Sequence, residues 1–163
     1  MNILITGSSG FLGKEVKLAL KKNGFNLFFI SRKKIRNKKY LFCDLKNLKK
    51  LKITLEKLKP NVVINLAAEI NFKNKTKNTY KINSLSPYVI AKFCKKNNSH
   101  FIQASTIMIN GVKSNYSIYS KYNPVNDYSK SKLKADNFIK STKCKYTILR
   151  LGGIYGKRGP THL

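Results

Sequence analysis

Residues 2–13 read NILITGSSGFLG: a short apolar strand, Asn2 to Thr6, runs into three glycines spaced three residues apart, Gly7, Gly10 and Gly13. A helix pattern follows without a break. Leu12, Val16, Ala19 and Leu20 recur at helical spacing, Lys21 and Lys22 fill the last turn, and Gly24 supplies a left-handed stop. A strand, a glycine turn and a helix N-terminus together leave backbone N–H groups and the positive helix end facing outward. Cβ atoms are missing where a ligand would have to approach. That is the arrangement a pyrophosphate needs, and in the first βα turn of a chain it points to dinucleotide binding.

The pattern outward from this turn alternates strand and helix. Asn26 to Ile30 reads as the second strand and Tyr40 to Cys43 as the third. Leu48, Leu51, Leu55 and Leu58 mark one face of a helix that ends before Pro60, and Val62 to Leu66 is a fourth strand. A helix carrying Val89, Ile90 and Phe93 starts or kinks at Ser86-Pro87. Phe101 to Ala104 is the fifth strand, Asp127 to Ile139 a helix and Tyr146 to Leu151 the sixth strand. Such alternation predicts an α/β fold, a Rossmann-like doubly wound parallel sheet of six strands covered on both faces. It fills residues 1–163 as a single domain, with no repeat, low-complexity tract or linker. The irregular stretches are Lys33 to Lys39, Asn71 to Asn78 and Gly111 to Pro124. In this architecture, loops beyond the strand carboxyl ends line the ligand crevice.

Composition removes several alternatives. Of 163 residues 42% are apolar, which argues against disorder despite 34 basic and 6 acidic residues and a net charge of +28. Thirty of the basic residues are Lys and four are Arg, and they are spread through every segment. Arg is the residue that bidentate phosphate and guanine recognition prefers, so the charge reads as solvated surface and not as a specific nucleic-acid interface. The abundance of Lys, Asn, Ile, Phe and Tyr also fits an A+T-rich coding bias. Val62 to Ile70, the most apolar stretch, is interrupted by Asn65 and Glu69 and is far shorter than a membrane span. No basic leader precedes the first strand, so the expected location is the cytoplasm, with no membrane partner. Cys43, Cys94 and Cys144 are odd in number and widely spaced, with only His100 and His162 beside them. Reduced structural thiols are expected, with no metal site.

Three further constellations carry chemistry. At the end of the second strand stands Ser31-Arg32-Lys33-Lys34, without the acidic residue that takes a ribose 2′-hydroxyl. Arg32 instead suits a 2′-phosphate, so NADP(H) is preferred over NAD(H). Tyr128 and Lys132, four apart on a helix capped by Asn126 or Asp127, share one face. An ammonium about 5–6 Å from a phenol lowers the phenol pKa by about two units at an effective dielectric near 20, making the tyrosine a usable acid or base. Ser105-Thr106, just after the fifth strand, offers a hydroxyl for a substrate oxygen that Tyr128 protonates or deprotonates.

Together these residues resemble the short-chain dehydrogenase/reductase superfamily, in its extended branch, also called the NAD-dependent epimerase/dehydratase family. The resemblance runs through essentially the whole chain: Thr6 to Gly13, Asp44-Leu45, Asn65-Leu66-Ala67-Ala68, Asn83, Ser105-Thr106, Tyr128 with Lys132, Leu149-Arg150 and Gly153-Ile154-Tyr155-Gly156. It implies an oxidoreductase or isomerase of nucleotide sugars. Gly7, Ser9, Gly10, Phe11, Leu12 and Gly13 would border the dinucleotide, Asp44 and Leu45 its adenine, and Ala67 and Ala68 its ribose and phosphates. Asn83 joins that cofactor-binding set. Thr106, Tyr128 and Lys132 would be catalytic, with Tyr128 and Lys132 also at the nicotinamide ribose. Dehydratases of the family carry an Asp-Glu pair after the Thr, where this chain has Ile107-Met108. The remaining pattern is similar to the dTDP-4-dehydrorhamnose reductase branch and to epimerases alike. Extended members continue into a carboxyl-terminal substrate lobe, so a chain ending at Leu163 is expected to lack it. The alternative is then a truncated, non-catalytic dinucleotide-binding chain. Members often form homodimers through the helices near Val89 to Lys96 and Ser129 to Ile139.

Overall fold

The computed structural model describes residues 1–70, 77–111 and 119–156. Its six strands are β1 Asn2–Thr6, β2 Asn26–Ser31, β3 Tyr40–Phe42, β4 Val62–Asn65, β5 His100–Thr106 and β6 Lys145–Leu151. All pair in parallel, in the order β3-β2-β1-β4-β5-β6. The helices are α1 Phe11–Lys22, α2 Leu48–Leu58, α3 Lys77–Tyr80, α4 Ser86–Asn97 and α5 Asp127–Thr142. A π-helical segment, Lys81–Leu85, joins α3 to α4, and a 3₁₀ turn, Ile107–Asn110, follows β5.

Period-two alternation decides which helix covers which face. Leu4, Ile30, Val63 and Phe101 point to one side, where Leu51 and Leu55 of α2, Ile90, Ala91 and Phe93 of α4 and Ile139 of α5 close over them. Ile3, Ile5, Leu27, Phe29 and Ile64 point to the other, against Val16 and Leu20 of α1. Among the described residues only α1 covers that second face, so the expected cover on both faces holds over β1, β2 and β4 and thins toward β6. Tyr146 and Leu149 of β6 remain 39% and 44% exposed.

Local chemistry sets the element ends. The Asn47 side chain accepts from the Lys50 N–H at 2.9 Å and starts α2; Asn126 and Ser129 form a reciprocal capping box at the start of α5. Gly24 has φ +72, as expected of the α1 stop. α4 starts at Ser86 with Pro87 in its first turn, as expected, and the turn just before it is widened. Pro87 has no N–H to give the Asn83 carbonyl, and the backbone relaxes into the π segment just before it. Lys77 and Asn78 already belong to α3, while residues 71–76 of the expected irregular stretch, like 112–118 and 157–163, lie outside the described residues. The three cysteines are free and buried, and burial with Cys144 nearby pushes the Cys94 thiol up to about 12. No helix among the described residues is long and apolar enough to cross a membrane.

Candidate active site

The glycine turn is packed too tightly for side chains. A Cβ on Gly13 would lie 2.1 Å from the Gly7 carbonyl oxygen, and one on Gly7, whose φ is +71, would lie 2.6 Å from the Ala67 nitrogen. Gly10 is the N-cap of α1, and no side chain caps that helix or places an acid in its first turn. Ser9 and Gly10 are exposed, Phe11 and Leu12 half-buried. The first N–H groups of α1 are therefore open to an anion, and the cradle fits a dinucleotide pyrophosphate. Close to this mouth the chain after β6 returns: a Cβ on Gly156 would stand 3.1 Å from the Phe11 ring. The turn and the Gly153–Gly156 segment, far apart in sequence, thus meet.

Strand order reverses between β1 and β4, and there the carboxyl ends carry a buried polar chain. The Thr6 hydroxyl donates to the Asn65 side-chain oxygen and accepts from the Ala67 N–H at 3.3 Å. Asn65 donates to Gln103 at 2.8 Å, and Gln103 donates to the Ala104 carbonyl at 2.8 Å. Onto the same carbonyl the Lys132 ammonium donates from α5. Thr6, Asn65, Gln103 and Lys132 are all at most 2% exposed. The glycine turn and Lys132 are thereby tied through three adjacent strands.

Lys132 lies one turn after Tyr128 on α5, over the end of β5 where Thr106 caps the 3₁₀ turn by accepting from the Met108 N–H at 3.2 Å. Burial lowers the Lys132 ammonium to about 8, against the pull of Asp136 in the opposite direction. The expected lowering of the Tyr128 phenol is not what the structure gives. Burial raises it, because the phenolate would lose its hydration.

Asp136, one turn beyond Lys132, escaped the sequence reading. It is fully buried, its Oδ2 accepts from the Ser105 hydroxyl at 2.9 Å, and Arg150 Nε stands 3.9 Å away. Burial pushes its carboxyl up, while Ser105 and the Lys132, Arg150 and Lys140 charges pull it back. The available signal was Asp136 four residues after Lys132, one of only six acids in a chain of 34 bases. Arg150 continues outward and donates to the Tyr122 hydroxyl at 2.6 Å.

The other expected residues divide into two groups. Ala67 sits against the turn, and the following residue Ala68 is exposed beside it. Leu45 is buried after β3, and Asp44 spends its carboxylate on its own loop, accepting from the Lys46 N–H at 2.9 Å with the Lys46 ammonium 3.7 Å away. Arg32 is exposed at the end of β2. Asn83 is 1% exposed in the π segment; its amide clasps the Glu69 backbone at 2.8 and 2.9 Å and reaches Ser131 at 3.1 Å. Its side chain binds the loop after β4 to α5.

The family model described as RmlD substrate binding domain matches residues 1–163. The chain belongs to this family. A relative of the RmlD-family chain, dTDP-D-glucose 4,6-dehydratase of Dictyostelium discoideum, is 30% identical over 96% of this chain and 44% of its own length. The crystal structure of a dTDP-4-dehydrorhamnose reductase from Clostridium acetobutylicum superposes with a TM-score of 0.85 at 29% identity, covering 99% of this chain and 56% of that one. A dTDP-4-dehydrorhamnose reductase from Bacillus anthracis, solved in complex with NADP, gives a TM-score of 0.83 at 23% identity over 98% of this chain and 56% of that one. The RmlD-family chain spans about half the length of these relatives.

Proposed function

We propose that this RmlD-family chain is the nicotinamide-dinucleotide-binding domain of a sugar-nucleotide reductase or epimerase, with Thr106, Tyr128 and Lys132 as its catalytic set. The observation that carries the reading is the tie between an open helix N-terminus that no side chain caps and the buried Lys132, through Thr6, Asn65, Gln103 and Ala104. A nucleotide-binding turn and a proton-handling helix are built as one unit at the reversal of strand order.

The bound nicotinamide would supply or accept a hydride at a sugar carbon. Gly7, Gly10, Gly13 and the first turn of α1 hold the pyrophosphate by backbone N–H groups. Lys132 has donors left beyond the one spent on Ala104 and offers them to the ribose hydroxyls. Tyr128, its phenol raised by burial, is protonated at neutral pH and donates its proton to a developing sugar alkoxide, with Thr106 hydrogen-bonding the same oxygen. That is the reducing direction. Ile107 and Met108 supply no acid or base beside Thr106, so elimination of water is not part of this reading. Arg32 at the end of β2 supports a preference for NADP(H) over NAD(H), and the substrate class is a nucleotide sugar with a keto group. The role of Asn83 is to hold the cofactor-facing loop through Glu69.

Fluorescence titration with NADPH and NADH tests the binding half, and turnover of a nucleotide-sugar ketone by the Tyr128→Phe variant tests the chemistry. Binding of NADPH with a loss of turnover of about 10²–10⁴-fold in the variant is expected. Failure to bind either dinucleotide overturns the reading, and binding without any turnover leaves a dinucleotide-binding domain alone.

A further inference from the structure

We propose that Asp136 is the positioning residue of the Lys132 site: its buried carboxylate, anchored by Ser105 of β5 and faced by Arg150 of β6, fixes the charge and place of the Lys132 ammonium. The inference rests on the reading of Lys132 as a cofactor-holding residue. It adds a group that touches neither cofactor nor substrate.

Geometry leaves Asp136 little else to do. It shares a helical face with Lys132 at i and i+4, and both are at most 2% exposed. An ammonium buried this deeply loses its charge unless a negative group stands near it. Ala104 gives Lys132 one carbonyl dipole, and Asp136 is the group whose charge favours its protonated form. Position is secured from two sides. Ser105 donates at 2.9 Å to Oδ2, and Arg150 Nε lies 3.9 Å from the same oxygen, while Oδ1 is buried with no hydrogen-bond partner. A carboxylate with one free oxygen among cations, and not matched one-to-one with Arg150, has field left over for Lys132.

The charged groups acting on Asp136 are Lys132 and Lys140 from α5 and Arg150 from β6; β5 contributes the neutral Ser105. The π segment packed against α5 contributes the neutral Asn83 and Ser84, which bond to Ser131. Arg150 is itself shared with Tyr122, whose phenol lies below its usual range because hydrogen bonds from Arg150 and Lys140 outweigh the upward effect of partial burial. A cluster in which one acid serves Lys132 on one side and Arg150 on the other links the α5 lysine to β6 and to the loop before α5. The sheet end and helix then hold Lys132 together, and a ribose would meet a lysine already charged and placed.

The test follows the lysine itself. In the 163-residue chain labelled with ¹³C at lysine Cε and aspartate Cγ, Lys132 is assigned by the signal lost in Lys132→Met. Wild-type Lys132 should titrate near pH 8, and the Asp136 carboxyl signal should inflect at the same pH. Asp136→Asn should move the Lys132 midpoint down by about one to two pH units, and Asp136→Glu should bring it back toward the wild-type value. A merely structural Asp136 would not shift that midpoint. An unchanged midpoint in a folded Asp136→Asn variant overturns the proposal. So does a wild-type Asp136 signal with no inflection at the Lys132 midpoint, a measurement that decides the matter if the variant does not fold. NADPH affinity, read across pH on the same samples, should weaken above the Lys132 midpoint in each. Absence of NADPH binding at every pH would overturn the cofactor reading and leave the lysine titration to judge Asp136.

Discussion

Replacing Gly13 by alanine should separate the packing of the glycine turn from its ligand chemistry. The new Cβ would stand 2.1 Å from the Gly7 carbonyl oxygen, 2.7 Å from Ser8 Cα and 2.8 Å from the Gly7 carbonyl carbon. Carbon contacts are comfortable only near 3.5–4.0 Å, so the first turn of α1 must move by about 1 Å or more. All three atoms are backbone, and no rotamer change relieves them. The same carbonyl accepts the Gly10 N–H at 3.0 Å, so the movement also strains the bond that closes the turn. Overpacking costs about 1–3 kcal/mol and loss of the hydrogen bond about 1 kcal/mol, against a gain of about 0.5–1 kcal/mol from better helix propensity. The net expectation is a loss of about 2 kcal/mol. With a urea slope of about 2 kcal/mol/M, the unfolding midpoint falls by about 1 M. Gly10→Ala is the control. Its φ is −71, and the added Cβ would lie 3.3 Å from the Gly7 oxygen, so stability should change by less than about 1 kcal/mol. Its methyl group would face the open end of α1, and NADPH affinity should drop by about tenfold or more, a loss of about 1.4 kcal/mol. Urea unfolding and NADPH titration of both variants give the answer. Equal urea midpoints for the two would refute the packing argument, and unchanged NADPH affinity in Gly10→Ala would refute the placement of the pyrophosphate.

Arg32→Ala should weaken NADPH about tenfold to a hundredfold while leaving NADH affinity where it was, since a charge-assisted contact is worth about 1.5–3 kcal/mol; equal losses for both dinucleotides in a fluorescence titration would remove the 2′-phosphate role. Lys132 has its folded pKa below its unfolded one, so between about pH 8 and 10.5 the unfolded chain binds more protons and this group's contribution to stability rises with pH. Urea unfolding of wild type minus Lys132→Met should therefore rise by about 3 kcal/mol from pH 7 to pH 10.5, and a flat difference would show that Lys132 is not held as described. Asn83→Ala removes the amide that clasps the Glu69 backbone and touches Ser131, leaving buried groups unpaired at about 1–3 kcal/mol each. Faster amide hydrogen exchange at Glu69 and lower NADPH affinity are expected; an unchanged Glu69 exchange rate would mean the loop is held by something else.

Strand and helix order were legible because period and punctuation are local. NILIT, VVIN and the Leu48, Leu51, Leu55, Leu58 stripe each show their period within a dozen residues, and Gly24, Pro60 and Asn126 mark ends by chemistry that acts on the adjacent backbone. The cofactor turn was legible for the same reason, its requirement for missing Cβ atoms being written as three glycines. Boundaries drifted by one to three residues: α5 runs on past Ile139 to Thr142, and β5 runs His100–Thr106 and so places Ser105 and Thr106 inside the strand end and not after it.

The tertiary structure alone decided what the polar residues do. Tyr128 and Lys132 share a helical face in the sequence, yet the phenol is raised and not lowered, because the folded chain buries it. Asn83 reads as a cofactor residue by resemblance and is found clasping Glu69 and Ser131, 14 and 48 residues away. Gln103 and Asn65 pair across 38 residues, and Ser105 meets Asp136 across 31. The sequence by itself determined the elements, because hydrophobic periodicity and turn chemistry act over a few residues. Only the folded sheet decided the electrostatics, because a charge's proton affinity depends on burial and on partners that the chain brings together from distant strands.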